Sequence, residues 1–413
     1  MSTPSRTTFI IILVFAIGLA SCGDSTPPQK SPPSNEASDT RPMPPPQTPS
    51  VLLAKAIAWH GGMERLRSLK TCRLRAHGRQ MGRPYNVTVF FDRRGYWRND
   101  LEIHDAILSQ SITPTGSWAT FEGVPVSLEE RDRDALIEGL RFVSLSLLTD
   151  LVTNPRATVT EVESKERGSL LEVKYSDAPT GPFSLAIASD GRLTSLSWNS
   201  AVFGYRGSQS SRIEILGYGE SRGIKLATET QLLVDGAVVQ REFVSELAVD
   251  EDFPAATFKA PEDATEPPIF DRMTAGGAFA WTDSDDLDDG AEERLSNWIE
   301  RQRWRRAGPT IRTLPEATTR QSAVMIALDI SNPETRPSTR PTTRPSDGPR
   351  VRDITSTRVL AMAGALKSGS VDAAVSRLNR EAAARGLVPD APLRMVQWGP
   401  DRVQFQLPVR AKN

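Results

Sequence analysis

The sequence predicts an α+β protein, and three observations carry that prediction. From about residue 70 to 250 the chain runs through alternating apolar and polar segments joined by glycine-containing turns, among them YNVTVFFD, SLLEVKYS and IEILGYGESRGIKLATETQLLVDGAVVQREFVSELAV. That is the pattern of antiparallel hairpins. A few helical stripes interrupt the strands, one opening the folded region and one in LEERDRDALIEGLRFVSLSLLTDLV, where Leu136, Leu140, Val143 and Leu147 fall on one side. Beyond residue 268 two segments repeat at a constant offset. Leu295, Trp304 and Pro309 correspond to Leu378, Leu387 and Pro392, in two stretches that each read as strand, helix, proline turn and strands.

The chain opens with Arg6 as its only early charge and an apolar run over residues 9–20. This is too short for a bilayer core that takes about 20 residues, and it has the form of the apolar segment of an export signal. Leu19-Ala20-Ser21-Cys22 then resembles the lipobox of bacterial lipoproteins, which implies cleavage after residue 21 and acylation of Cys22 by palmitate-type chains. Two or more acyl chains hold a protein at a membrane far more firmly than one. The alternatives are an ordinary signal with a chance cysteine, and a disulfide to the only other cysteine, Cys72. In TCRLRAHG, strand alternation sets Cys72, Leu74 and Ala76 on one face against Arg73, Arg75 and His77, so Cys72 is expected buried and inert.

Residues 22–50 are rich in proline and small polar side chains and are expected to form an extended tether. A first folded unit is expected over 51–262. Ser50 is placed to cap a helix with Leu53, Ala56, Ile57 and His60 on one side, and Gly61-Gly62 to end it. The second unit is expected over 263–413, interrupted at 331–349 by a spacer of repeated Thr-Arg-Pro.

An initial helix ending in HGGMERLRSL, a long antiparallel meander, a mid-chain helix and the closing ELAVDEDFPAATFKAPE resemble the periplasmic lipoprotein-carrier superfamily, LolA/LolB-like. The resemblance implies an antiparallel half-barrel over helices with a hydrophobic cavity for acyl chains. Phe90, Trp97, Trp118, Phe183, Trp198 and Phe203 are the candidates to line it. The repeated second unit, with RLNREAAARGLVPDAPLRMVQW and VQFQLPV, resembles the effector-binding domain of gyrase-inhibitor-like regulators and SOUL haem-binding proteins. That implies a duplicated ββαββ domain with a small-molecule groove, for which Trp281, Trp298, Trp398 and Gln404 are candidates. Gln404 stands where cation-binding members of that family carry an acidic residue, and residues 268–413 contain no histidine or cysteine to ligate haem.

Fifty basic against 51 acidic side chains argue against nucleic acid as a partner. The histidines, His60, His77 and His104, fall in no metal-spaced cluster, and no G-x-S-x-G elbow is present. The acidic stretch from Asp283 to Asp289 lacks the ligand spacing of a calcium loop and is read as complementing a helix N-terminus. GYGESRG at 217–223 is read as a hairpin turn, and an enzymatic role would need carboxylates such as Glu122 and Glu172 to converge. No catalytic residue, metal or cofactor is therefore expected. The expectation is a lipoprotein of the bacterial envelope, anchored at the outer membrane or another periplasm-facing membrane surface, that binds an apolar or acyl ligand without catalysis. The alternative is a structural or sensor lipoprotein acting through an envelope protein partner.

Overall fold

The structure, a computed structural model, describes residues 50–103, 106–126, 144–164, 168–176, 182–201, 208–261, 267–284, 289–302, 304, 306–314, 322–328, 349–364, 370–398 and 403–412. The signal and Cys22, most of the tether, His104, residues 127–143, Phe203, Asp285–Asp288 and the Thr-Arg-Pro repeats lie outside the described residues.

The protein is built mainly of antiparallel sheet with few helices. One large open sheet contains thirteen strands. These are β1 (Thr71–Gln80), β2 (Arg83–Asp92), β3 (Tyr96–Ile103), β4 (Ala106–Thr113), β5 (Gly116–Phe121), β6 (Val124–Val126), β7 (Ala157–Ser164), β8 (Gly168–Tyr175), β9 (Phe183–Ile187), β10 (Leu193–Ala201), β11 (Ser208–Ser221), β12 (Ile224–Val234) and β13 (Ala237–Val249). Their order is β6-β5-β4-β3-β2-β1-β13-β12-β11-β10-β9-β8-β7, so every neighbour except the β1/β13 pair is also consecutive in sequence. The two-residue turns Met81-Gly82 and Arg222-Gly223 have positive φ at both positions, the backbone twist that a tight hairpin demands.

The described residues within 70–126 and 237–412 form one compact unit, and those within 50–69 and 144–236 another. In the second of these, α1 (Val51–Trp59) is capped as its sequence predicts, with Ser50 Oγ accepting from the Leu53 amide at 3.2 Å. Leu53, Ala56, Ile57 and His60 are all buried. The helix ends at Gly61, where φ is 120° and a Cβ would come within 2.4 Å of the Gly223 carbonyl oxygen, so only glycine lets this turn close onto the strand hairpin. Helix α2 (Met63–Ser68) follows, and α3 (Ser144–Thr153) falls at the C-terminal end of the stretch read as a mid-chain helix. Helix α1 packs on α3 and β8, and α3 packs on α2 and β7.

The other unit holds β1–β6, β13 and a second antiparallel sheet. This sheet comprises β14 (Phe270–Met273), β15 (Gly277–Ser284), β16 (Arg306–Thr313), β17 (Ser322–Leu328), β18 (Arg350–Ile354), β19 (Arg358–Gly364), β20 (Leu387–Pro389), β21 (Arg394–Gln397) and β22 (Val403–Ala411), with α4 (Asp289–Arg301) and α5 (Ser370–Ala384). The strand order is β14-β19-β22-β21-β16-β17-β15-β18, with β20 paired to β22. The central pair β21/β16 divides it into two matching sets. Each set has a strand leading into its helix (β19, β15), a central strand (β21, β16) and a closing strand (β22, β17). The short strand that precedes each set pairs with the edge of the other, β14 on β19 and β18 on β15. Helix α4 covers Ala278, Ala280, Val324, Ile326 and Leu328, and α5 covers Leu360, Met362, Met395, Phe405 and Leu407, both on one side of the sheet.

Candidate functional site

Cross-strand register fixes which side chains share a face. On β1–β4, the line Cys72, Leu74, Ala76 continues through Val89 and Val87 to Trp97, Asn99, Leu101 and Ile103, and on to Leu108 and Gln110. Cys72 is a free, buried thiol, pushed up to about 12 by burial and by the nearby Asp250 and Glu251. Arg73, Arg75 and His77 face the other way, as alternation predicts. Trp97 is only 1% exposed. Phe90 and Trp118 lie on the opposite face from Trp97, because register pairs Phe90 with Arg73 and Trp118 with Ser111. There they meet the closing segment: Phe90 packs edge-on against Phe253 at 5.5 Å, and Trp118 Nε1 donates to the Phe258 carbonyl at 2.9 Å. Phe183 and Trp198 are direct cross-strand partners and both are buried, in the unit that contains α1–α3. The six cavity candidates therefore do not form one group. Trp97 stands on one face, Phe90 and Trp118 on the reverse, Phe183 and Trp198 are a separate pair, and Phe203 is outside the described residues.

The Trp97 face is apolar but contains polar atoms without protein partners among the described residues. Trp97 Nε1, Gln110 Oε1, Gln80 Oε1 and Glu242 Oε1 are buried and have no hydrogen-bond partner among the described residues. Glu242 is 1% exposed. Its Oε2 accepts from the Tyr85 hydroxyl at 2.6 Å, and Gln240 Nε2 donates to that hydroxyl at 2.7 Å. Burial pushes the Glu242 carboxyl up to about 8, against the downward pull of the Tyr85 bond. With Oε2 engaged by Tyr85, Oε1 is left without a partner among the described residues.

Sequence alternation points the wrong way at this residue, because in QREFVSE it sends Phe243 inward and Glu242 out. A bulge between Arg75 and Ala76 shifts the register so that Val249 and Leu247 face inward before it, and Val244, Glu242 and Gln240 after it. Phe243 is left 37% exposed, stacked on His77. No signal within the strand marks such a bulge.

Glu242 also gives the protein a pH dependence of defined sign. Its folded-state value lies above that of the unfolded carboxyl, so the folded state keeps a proton that the unfolded chain has lost. Stability is expected to fall as pH rises from the ordinary carboxylate range to about 8. Melting temperatures across that window should show a downward slope that Glu242→Gln flattens; an equal slope in the variant would refute the assignment.

The four groove candidates are likewise divided. A line of cross-strand partners runs Trp281–Met325–Ile311–Val396–Gln404, so Trp281 and Gln404 share the face away from the helices. Four strand spacings separate them, roughly 19 Å. Trp298 is on the helix side, edge-on to Trp304 at 5.1 Å. Trp398 is buried, 5.5 Å from Phe121. Gln404 is completely buried and takes part in a polar network centred on Glu122. Arg272 grips that carboxylate with both terminal nitrogens, at 3.0 and 2.8 Å, and the Ile107 amide donates to it at 2.6 Å. Along the same face, Arg83 stacks over Phe279 at 4.6 Å. Glu172 by contrast is exposed, so it and the buried Glu122 occupy unlike environments. His60 Nδ1 donates to the Ala56 carbonyl at 2.8 Å, and its ring packs edge-on against Trp59 and Tyr218; burial lowers its basicity.

No protein-family model matches the sequence, and no curated protein matches it. Among solved structures, the chain is similar to the LolA superfamily protein NE2245 from Nitrosomonas europaea, with 10% identity over 50% of this chain and 97% of that one, at a TM-score of 0.33. It is similar to a DUF1329 family protein from Desulfovibrio piger ATCC 29098, with 10% identity over 50% and 95% of the two chains and a TM-score of 0.34. It is also similar to the EcmrR C-terminal domain, with 8% identity over 35% of this chain and 99% of that one and a TM-score of 0.28.

Proposed function

We propose that this chain is an envelope lipoprotein, anchored through acylated Cys22, whose first sheet works as a LolA-like half-barrel and holds an acyl-chain amphiphile without catalysing a reaction. The observation that carries the reading is the set of polar atoms without partners among the described residues, Trp97 Nε1, Gln110 Oε1 and Glu242 Oε1, on a face otherwise lined by Val87, Val89, Leu101 and Leu108. A core that serves only packing leaves few such atoms, because each one costs about 1–3 kcal/mol. An amphiphile supplies both the apolar chain for the face and the oxygen atoms that pair with those groups. The second sheet is read as a duplicated effector-binding-like domain, supported by its two matching strand sets and by the offset of Leu295 and Leu378, which both lie at the centre of their helices' buried stripes.

Two measurements test the reading. Native extraction followed by lipid mass spectrometry is expected to recover acyl ligand at close to one per chain, and protein recovered without lipid would reject carriage. Cys22→Ser is expected to move the protein from the membrane pellet to the soluble fraction, and an unchanged pellet would reject the anchor. A second reading, an interaction lipoprotein with filled folds, is favoured at the second sheet, where Phe121 and Glu122 occupy the face that would receive an effector. Crosslinking in intact cells that yields a stoichiometric protein partner and no bound small molecule would favour it.

A further inference from the structure

The β5–β6 hairpin turns on Glu122-Gly123, with φ of 54° and 74°. A two-residue turn with both φ positive favours Asn, Asp or Gly at its first position, and glutamate is a poor choice there. The local backbone therefore gives no reason for this residue. The side chain does, because it reaches three donors that belong to the other sheet. Arg272 Nη1 and Nη2 bond its two oxygens at 3.0 and 2.8 Å, and the Gln404 amide donates to it.

Contacts within the second sheet hold these donors in place. Arg272 is paired in register with Val359 on β19, and its guanidinium lies 4.7 Å from the Phe270 ring. Gln406 Nε2 donates to Gln404 Oε1 at 2.7 Å, which turns the Gln404 amide nitrogen toward the carboxylate. The cross-strand partners of Gln404 and Gln406 are Ala363 and Ala361, which are buried and small enough to leave room above them. Such a fork of planar donors matches one carboxylate.

We infer that the second sheet contains a carboxylate-binding site, built from Arg272, Gln404 and Gln406, and that Glu122 is its internal ligand. A small carboxylate from outside the chain takes the site when the Glu122 side chain is removed. This stands apart from the acyl reading of the first sheet, which uses none of these residues.

The test is chemical rescue in the full-length protein. Glu122→Gly keeps a turn that accepts positive φ and empties the site. Sodium acetate is expected to raise the melting temperature of this variant saturably by several degrees, while sodium chloride at equal ionic strength does not. The native protein and the Glu122→Gly/Arg272→Met double variant should show no acetate-specific rise. Glu122→Asn, with the preferred Asn-Gly turn, serves as the second variant, read by refolding yield in acetate against chloride. Stabilisation by acetate alone, or folding of the variants only in acetate, supports the site. Equal behaviour in the two salts, including failure to fold in both, overturns it.

Discussion

Arg272→Met is expected to lower unfolding free energy by about 3–5 kcal/mol, the usual cost of removing one partner from a buried ion pair. The magnitude follows from where Glu122 sits. Its side chain is completely buried, and burial already raises its carboxyl above the ordinary range in spite of the Arg272 charge, the Ile107 amide and the Gln404 amide that favour ionisation. Without the guanidinium the carboxyl either stays charged in a dry site or takes up a proton, and both are costly. Glu122→Gln made together with Arg272→Met strands no charge, so the double variant is expected to be more stable than Arg272→Met alone. Denaturant midpoints followed by tryptophan fluorescence report this directly, since Trp398 packs on Phe121 beside the pair. A loss below about 1 kcal/mol for Arg272→Met would mean that water screens the pair like a surface salt bridge.

Features that depend on neighbours in sequence were legible, and those that depend on register were not. The Ser50 cap, the Leu53-Ala56-Ile57-His60 stripe, the Gly61 stop and the Cys72-Leu74-Ala76 face all follow from residues within a few positions of one another. The strand-helix-strand halves were legible because the offset between Leu295 and Leu378 recurs at Trp304 and Leu387. Which aromatic faces which way is a different question. Phe90 and Trp97 lie on adjacent strands, yet register puts them on opposite faces, and the 253–258 segment that covers Phe90 lies far along the chain. Glu122 and Glu242 share the same difficulty. A lone glutamate at a turn or in a polar stretch of strand looks solvated until a bulge or a second sheet brings it inside.

Trp97→Ala is the other change expected to cost about 3–5 kcal/mol, because it empties the largest fully buried side chain among the described residues. Trp97→Phe separates packing from ligand. Phenylalanine keeps most of the apolar volume and removes the indole N–H, which has no protein acceptor among the described residues. In protein stripped of lipid, deleting that unpaired donor offsets part of the lost packing, and Trp97→Phe should lie close to the native protein. In protein extracted with its ligand, the native chain gains a bond from Nε1 to a ligand oxygen that the variant cannot make. Delipidation should therefore lower the melting temperature of the native protein by more than that of Trp97→Phe. Equal shifts in the two proteins would assign Trp97 to packing alone and remove it from the acyl site.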